Sequence, residues 1–198
     1  MIIETLSTLV AFLLGSIPFG LVIARLAGGV DIRKVGSGNI GATNVFRQSR
    51  WAGILTLALD CGKGYLAVAL AGRLGLGPAW QALGAVAAIA GHVFTPWLGF
   101  KGGKGVATGA GAYAALAPLP LGVALAGFVV AVVWSRYISL GSIAASLLFP
   151  LASFLYREPA PVTAGALAGT LLIVAKHHEN IRRLISGTER KFALGKGS

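Results

Sequence analysis

The uncharged stretch VATGAGAYAALAPLPLGVALAGFVVAVVW, residues 106–134, decides the fold. A single upright membrane helix needs about 20 apolar residues, and this stretch is longer than that. Pro118 and Pro120 interrupt it near its middle, and proline breaks a helix because it lacks a backbone donor. The stretch therefore predicts two helices, which either cross a membrane twice or form a re-entrant pair.

Similar apolar segments fill most of the chain, and we predict an all-α, polytopic transmembrane helix bundle of about seven spans. The 198 residues are 56% hydrophobic and only 12% charged, which is too little polar surface for a soluble domain. The 29 glycines are typical of packed membrane helices, whose backbones approach closely. We expect one domain, residues 1–198. The predicted spans are Ile3–Leu26, Trp51–Ala71, Pro78–Leu98, Gly105–Ala117, Leu119–Val133, Leu140–Tyr156 and Val162–Ala175.

Positive charge predicts the orientation of these spans. With the N-terminus outside, nearly all basic connectors and the C-terminal segment lie on the inner face, as the positive-inside rule requires. Counting residues 106–134 as one crossing would send Arg136 and the basic C-terminal segment outside. We therefore expect a cytoplasmic C-terminus and a cytoplasmic polar face.

The same composition argues against other classes of protein. The net charge of +11 is spread over short connectors between spans, a pattern that disfavours nucleic-acid binding. Cys61 is the single cysteine, so no disulfide framework can form within the chain. The first apolar segment is too long for the hydrophobic region of a signal peptide, and we expect it to be retained.

Three polar stretches fall on the predicted inner face. The first, GSGNIGATNVFR at residues 36–47, matches the dinucleotide fingerprint G-x-G-x-x-G, but membrane spans replace the βαβ unit that the fingerprint requires. Its glycine amides, short polar side chains and arginine are suited to phosphate binding. A flexible connector is the simpler alternative, and the density of polar residues disfavours it. The candidate ligands are Ser37, Gly38, Asn39, Thr43, Asn44 and Arg47.

The second polar stretch is GFKGGKGVAT at residues 99–108. It lacks the spacing of a P-loop, but its glycines, its lysines and the helix predicted after Gly105 favour anion binding. The alternative is a turn whose lysines extend to the membrane surface, which suits Lys101 better than Lys104. The candidate ligands here, with the preceding histidine, are His92, Lys101, Gly102, Gly103, Lys104, Gly105 and Thr108.

The third polar stretch, KHHENIRRL at residues 176–184, follows the last span. On a helix His177 and Asn180 share one face, and Arg183 lies on the same side as Asn180. An imidazole, an amide and a guanidinium can therefore converge at the membrane surface, where Arg183 is a candidate phosphate ligand. The alternative is a basic tail on anionic lipid, which requires neither His177 nor Asn180.

Polar residues also occur within the spans. Asp60 and Lys63 lie one turn apart in the second span, where a charge costs roughly 2.5–3.5 kcal/mol, so both should face the bundle interior. We expect Asp60 to be structural and Lys63 to lie near the phosphate sites. Ser142, near the start of the sixth span, is a candidate ligand, although a lone serine in a membrane helix usually bonds to backbone.

The three polar stretches, in this order and at this spacing, resemble those of the bacterial acyl-phosphate-dependent glycerol-3-phosphate acyltransferases. The resemblance covers nearly the whole chain. It implies an enzyme of the bacterial inner membrane that transfers a fatty acyl group from acyl phosphate to the 1-hydroxyl of glycerol 3-phosphate. The products would be phosphate and 1-acylglycerol 3-phosphate, the lysophosphatidic acid of phospholipid synthesis.

The resemblance also assigns roles to matching positions, and we group Lys104 with the catalytic candidates. The implied roles are activity for Ser37, Arg47, His177 and Asn180, glycerol 3-phosphate binding for residues 101–108, and structure for Glu189.

The chemistry expected of such an enzyme is direct attack of the glycerol hydroxyl, without an acyl-enzyme. Acyl phosphate is already activated, so positioning and charge stabilisation are the main tasks of the protein. The proton would pass to His177 or to a substrate phosphate. We expect no cofactor and no metal, because the six acidic residues are scattered. The sequence leaves open the acyl-chain length and the oligomeric state, with a monomer among the allowed states.

A transporter for a phosphorylated solute is an alternative of a different class. It should show internal repeats and helices broken near the membrane midplane, and the sequence shows no repeat. A membrane scaffold without activity would bind only lipid and would leave the polar residues of the three stretches unexplained.

Overall fold

The computed structural model describes residues 1–192, and all of their apolar segments are helical. These described residues form ten α-helices and two short 3-10 turns, without a β-strand, so the predicted all-α class is confirmed. The 3-10 turns are Ile32–Lys34 and Pro96–Leu98. The helices are α1 Ile2–Ser16, α2 Phe19–Gly28, α3 Ala42–Gln48, α4 Arg50–Arg73, α5 Pro78–Val93, α6 Val106–Leu116, α7 Pro118–Ser135, α8 Ile138–Leu155, α9 Ala160–Ala175 and α10 His178–Ile185.

Five segments of the described chain are long and apolar enough to cross a membrane. This number is below the seven or so spans predicted, although each predicted span contains an α-helix. Helix α6 has 11 residues, a length of about 16 Å against a hydrocarbon core of about 30 Å. Helix α9 qualifies only together with α10, and the two bend by 59° where they meet. The five segments are Ile2–Gly28, Arg50–Arg73, Pro78–Leu98, Pro118–Ser135 and Ile138–Leu155.

Residues 106–134 form two helices, as their prolines predict. The beginning of α6 and the end of α7 lie at the same face of the bundle. Lys104, just before α6, donates a hydrogen bond to Asn180. Ser139, just after α7, donates to Glu189, which also accepts from Asn180. The pair therefore leaves the polar face and returns to it, with α7 long enough for a crossing and α6 about half that length. The inward orientation of this face stays a prediction from charge.

The first predicted span is broken, which the sequence interpretation did not expect. Pro18 lacks a backbone donor and disfavours helical geometry in the residue before it, so Ile17 is extended at φ −61° and ψ 119°. The carbonyl oxygens beside the break accept hydrogen bonds from α4 and from the segment that follows α5. The Thr95 hydroxyl donates to Ser16 at 2.7 Å, and the Lys63 ammonium donates to Ile17 at 2.7 Å.

Close contacts between some helices leave a groove between others. Helix α4 packs along α6, and α7 packs along α8. The first pair touches backbone to backbone, because a Cβ atom on Gly111 would lie only 1.8 Å from the carbonyl oxygen of Cys61. Helices α6 and α7 touch much less, so the two pairs diverge.

Candidate active site

A cavity of ≈ 920 Å³ lies between the two helix pairs and opens at the polar face. Its wall contains residues from all three polar stretches, including all five catalytic candidates. The predicted site residues in the wall are Ser37, Asn39, Thr43, Asn44, Arg47, His92, Lys104, Gly105, Ser142, His177, Asn180 and Arg183. Stretches that are far apart in sequence therefore meet at one place.

The deeper part of the cavity is apolar. Helices α4, α6, α7 and α8 supply its wall with leucine, alanine and aromatic side chains. Ile54 on α4 and Leu125 on α7 line it and are 60% and 47% exposed, so the groove is open along this side. The groove thus joins the polar end to the lipid-facing side of the bundle.

One hydrogen-bond network connects the second and third polar stretches. Lys104 donates to the Asn180 side-chain oxygen, and Asn180 donates to Glu189 Oε1 at 2.6 Å. Arg183 Nε donates to Glu189 Oε2 at 2.6 Å, and Ser139 donates to Oε1 at 2.7 Å. Glu189 therefore bonds directly to α8 and α10 and, through Asn180, to the loop that carries Lys104. These contacts are consistent with the structural role expected of it.

Cations dominate the polar end of the cavity. Burial lowers the pKa of the Lys104 ammonium to about 8, with Glu189 opposing and Arg183 and Arg47 reinforcing this shift. The Arg47 guanidinium also donates to the Arg190 carbonyl at 3.5 Å. Glu189 is a carboxylate in the wall of this end, and its pKa stays below the usual range because hydrogen bonds outweigh burial. A phosphate group would be strongly attracted to this end.

His177 is buried, and its geometry fixes its tautomer. Nδ1 lies 2.8 Å from the carbonyl oxygen of Ile173, which can only accept. Nδ1 therefore carries the proton, and the lone pair is on Nε2. Burial lowers the pKa of His177 to about 4, so the ring is neutral at pH 7. The histidine can accept a hydrogen bond from a hydroxyl group through Nε2.

In the first polar stretch, two asparagines shape the loop. Asn44 accepts from the Ser37 amide at 3.1 Å and donates to the carbonyl oxygens of Ile32, Val35 and Asn39. Asn39 accepts from the amide of Gly41 at 2.8 Å. These bonds use both the oxygen and the nitrogen of the Asn44 side chain, and the substrate contact predicted for this residue stays a prediction. Ser37 in the loop and Arg47 on α3 are exposed.

Six predicted ligands lie outside the described cavity wall, and several of them make contacts within the protein instead. The ammonium of Lys63 is enclosed by protein acceptors, and Thr108 is fully buried. The amides of Gly102 and Gly103 bond to the carbonyls of Val93 and His92. The residues outside the wall are Gly38, Lys63, Lys101, Gly102, Gly103 and Thr108.

The sequence interpretation missed the segment that follows Glu189. Arg190 and Phe192 line the cavity, the Phe192 ring lies 5.9 Å from that of Phe46, and its amide donates to the Arg136 carbonyl at 2.6 Å. No sequence pattern points to these contacts, because they join positions far apart in the chain. The remaining residues, 193–198, lie outside the described part.

Comparisons with known proteins agree with this geometry. Residues 5–187 match the family model described as glycerol-3-phosphate acyltransferase. Proteins of that name from Geobacter sulfurreducens and Geobacter metallireducens are 49% and 53% identical, each over 97% of this chain and 99% of the relative.

Solved structures of PlsY (YgiH), described as an integral membrane glycerol 3-phosphate acyltransferase, have the same fold. Its glycerol 3-phosphate form superimposes with a TM-score of 0.92 at 39% identity, covering 96% of both chains. Its lysophosphatidic acid form gives 0.90 at 38% identity, covering 96% of this chain and 95% of the other.

Proposed function

This chain belongs to the glycerol-3-phosphate acyltransferase family, and we propose that it transfers a fatty acyl group from acyl phosphate to the 1-hydroxyl of glycerol 3-phosphate. The products are 1-acylglycerol 3-phosphate and inorganic phosphate. The family match confirms the resemblance predicted from the three polar stretches. The observation that carries the proposal is a single cavity that is cationic at one end and apolar at the other. The reaction takes place at the cytoplasmic face of the bacterial inner membrane.

Glycerol 3-phosphate binds at the polar end, where Lys104, Arg47 and Arg183 supply positive charge. Ionised hydrogen bonds to phosphate are stronger than neutral ones, and an arginine can make two at once. The related PlsY structure in its glycerol 3-phosphate form supports a site for this substrate. Asn180 holds the Lys104 ammonium, so the cation is positioned before substrate arrives.

The acyl chain of the donor lies in the groove between the α4–α6 pair and the α7–α8 pair. Its wall is apolar, and its exposed leucine and isoleucine side chains face the lipid, so a chain can enter sideways from the bilayer. Lipid tails are as apolar as the side chains of this wall, so the chain does not leave an apolar environment when it enters the groove. The groove thereby brings the acyl carbonyl toward the cationic end, where its phosphate binds.

The chemical step is one substitution at the acyl carbonyl. The glycerol oxygen forms a bond to the carbonyl carbon, and the bond from that carbon to the phosphate oxygen breaks. The phosphate leaves with the electron pair, and Lys104 and Arg47 stabilise the developing negative charge. No acyl-enzyme forms, because the donor is already a mixed anhydride and the protein needs only to align the two substrates.

The proton of the glycerol hydroxyl passes to a substrate phosphate. His177 has a pKa of about 4 and is therefore the weaker base. A phosphate monoester, whose second pKa is near 6, binds protons more strongly at neutral pH. His177 contributes by accepting a hydrogen bond at Nε2 that orients the hydroxyl.

The donor assignment is tested with purified protein, labelled glycerol 3-phosphate and either acyl phosphate or acyl-CoA. We expect labelled lysophosphatidic acid and stoichiometric phosphate only with acyl phosphate. Product from acyl-CoA alone would contradict the donor assignment. An absence of product from both donors, in protein that transports glycerol 3-phosphate into vesicles, would favour the transporter.

Substitution of Lys104 tests the phosphate site. Lys104→Ala should raise KM for glycerol 3-phosphate at least tenfold, since a hydrogen bond to a charged group contributes about 1.5–3 kcal/mol. Lys101→Ala is the matched control, because Lys101 lies in the same loop but is exposed and outside the cavity wall. Steady-state kinetics at pH 7 measure both.

The same site predicts a pH dependence. The Lys104 ammonium binds phosphate below its pKa of about 8, so KM for glycerol 3-phosphate should rise as the pH increases through that value. In Lys104→Arg the guanidinium stays charged, and this rise should disappear. An unchanged KM in Lys104→Ala would remove this residue from the phosphate site.

The proton acceptor is tested by the acid limb of kcat. If the phosphate must be dianionic, kcat should fall below about pH 6. A phosphonate analogue of glycerol 3-phosphate, whose second pKa is higher, should move this limb upward. A kcat that stays level down to pH 5 with both substrates would instead identify His177, whose pKa is about 4, as the base.

A further inference from the structure

A buried charged cluster lies beneath the second polar stretch. The Lys63 ammonium on α4 is 2.7 Å from Asp60 Oδ1 and 3.0 Å from His92 Nδ1 on α5. Its third neighbour is the carbonyl oxygen of Ile17, at 2.7 Å, beside the break between α1 and α2. The side chains of Lys63 and Asp60 are 2% and 1% exposed. The cluster therefore joins three parts of the bundle at one ammonium group.

The contacts of Lys63 determine what it can do. An ammonium group has three donors and no acceptor, and here it is hydrogen-bonded to His92 and Ile17 and forms an ion pair with Asp60. Lys63 is buried among these three groups and lies outside the described cavity wall. Because it can only donate, His92 Nδ1 must present its lone pair, and the imidazole proton is on Nε2.

His92 in turn supports the loop that carries Lys104. The His92 carbonyl accepts from the Gly103 amide at 3.0 Å, and the Val93 carbonyl accepts from the Gly102 amide at 3.1 Å. The loop passes so close to the imidazole that a Cβ atom on Gly103 would lie 2.1 Å from Nε2. Lys104 is the next residue, and α6 begins two residues later.

We propose that Asp60, Lys63 and His92 form a rigid support for residues 101–105, so that His92 is a positioning residue that sets where the Lys104 ammonium stands. This inference rests on the proposed role of Lys104 in binding the phosphate of glycerol 3-phosphate. The Asp60–Lys63 ion pair fixes the orientation of the His92 ring. The ring and the end of α5 then fix Gly102 and Gly103, here called the glycine pair, and this pair fixes the position of Lys104. His92 acts through the loop and does not itself exchange a proton with substrate.

The support explains why a charged pair is kept in a membrane helix. Asp60 and Lys63 each carry a large desolvation cost, which is offset only when both are fully paired. Removing the imidazole leaves one ammonium donor unsatisfied and removes the surface against which the glycine pair packs. The loop then relaxes toward solvent, and Lys104 moves with it.

The test compares His92→Leu with His92→Asn in purified enzyme. Asparagine can place its oxygen where Nδ1 accepts from Lys63, whereas leucine cannot. We expect His92→Leu to raise KM for glycerol 3-phosphate at least about tenfold and His92→Asn to restore most of the loss. His178→Asn, on an exposed histidine outside the cavity wall, is the control for histidine replacement.

A pH profile separates positioning from a loss of folded protein. If the loop relaxes, Lys104 becomes better solvated, and the alkaline rise of KM should move above pH 8 toward the ordinary pKa of lysine. A general loss of folded enzyme would lower the apparent kcat and would not change the pH at which KM rises. The charged and titratable groups around Lys104, which must be unchanged in these variants, are Arg47, His177, Glu179, Arg183 and Glu189.

Gly103→Ala provides the same test if His92→Leu does not fold, because its added methyl group forces the loop away from the intact ring. Gly103→Ala should give the same higher KM for glycerol 3-phosphate, and its KM should also begin to rise at a higher pH than in the wild type. If the folded variants keep both the wild-type KM and the wild-type pH at which KM rises, while Lys104→Ala raises KM, the positioning role of His92 is wrong. The phosphate site at Lys104 would still stand. Equal loss of kcat in His92→Leu and His92→Asn would instead make His92 a catalytic residue. An inert Lys104→Ala would contradict the proposed phosphate site itself.

Discussion

The hydrogen bond from Lys104 to Asn180 joins parts of the chain that are 76 residues apart, and the site depends on it. Glu189 extends this bond to Arg183 and Ser139, so the beginning of α6, the helix α10 and the beginning of α8 are held at one face. A cation at the edge of a membrane needs such partners, because its desolvation is otherwise costly. The polar loops are therefore organised before any phosphate binds.

The shape of the cavity follows from how the helices pack around that face. The small residues of α4 and α6 bring those helices into contact, whereas α6 and α7 diverge from the turn at Pro118. The resulting groove reaches the lipid, and Phe46 and Phe192 line its polar end. A substrate with a phosphate and a long chain matches both environments at once, and glycerol 3-phosphate requires only the polar one.

The helices and the residues of the polar end were predictable, because hydropathy, proline positions and local runs of Gly, Ser, Asn and Lys express them directly. The position of Lys63 and the break at Pro18 were not predictable from the sequence. They depend on the hydrogen bond from Lys63 to the Ile17 carbonyl, and no sequence pattern indicates a contact between residues so far apart in the chain. The same holds for Gly103, whose sequence context indicates phosphate binding although its close neighbour is the His92 ring. Asn44 shows a related ambiguity, because a polar loop residue looks alike in sequence whether it binds a ligand or its own backbone.

The proposed function requires one cavity to hold a phosphate at the Lys104 end and an acyl chain between the two helix pairs. A crystal structure with glycerol 3-phosphate and a non-transferable acyl phosphonate would show both at once. We expect phosphate oxygens within hydrogen-bond distance of Lys104 and Arg47, and the chain along α4, α6, α7 and α8. Phosphate bound elsewhere, or a chain on the far side of α5 or α9, would contradict it.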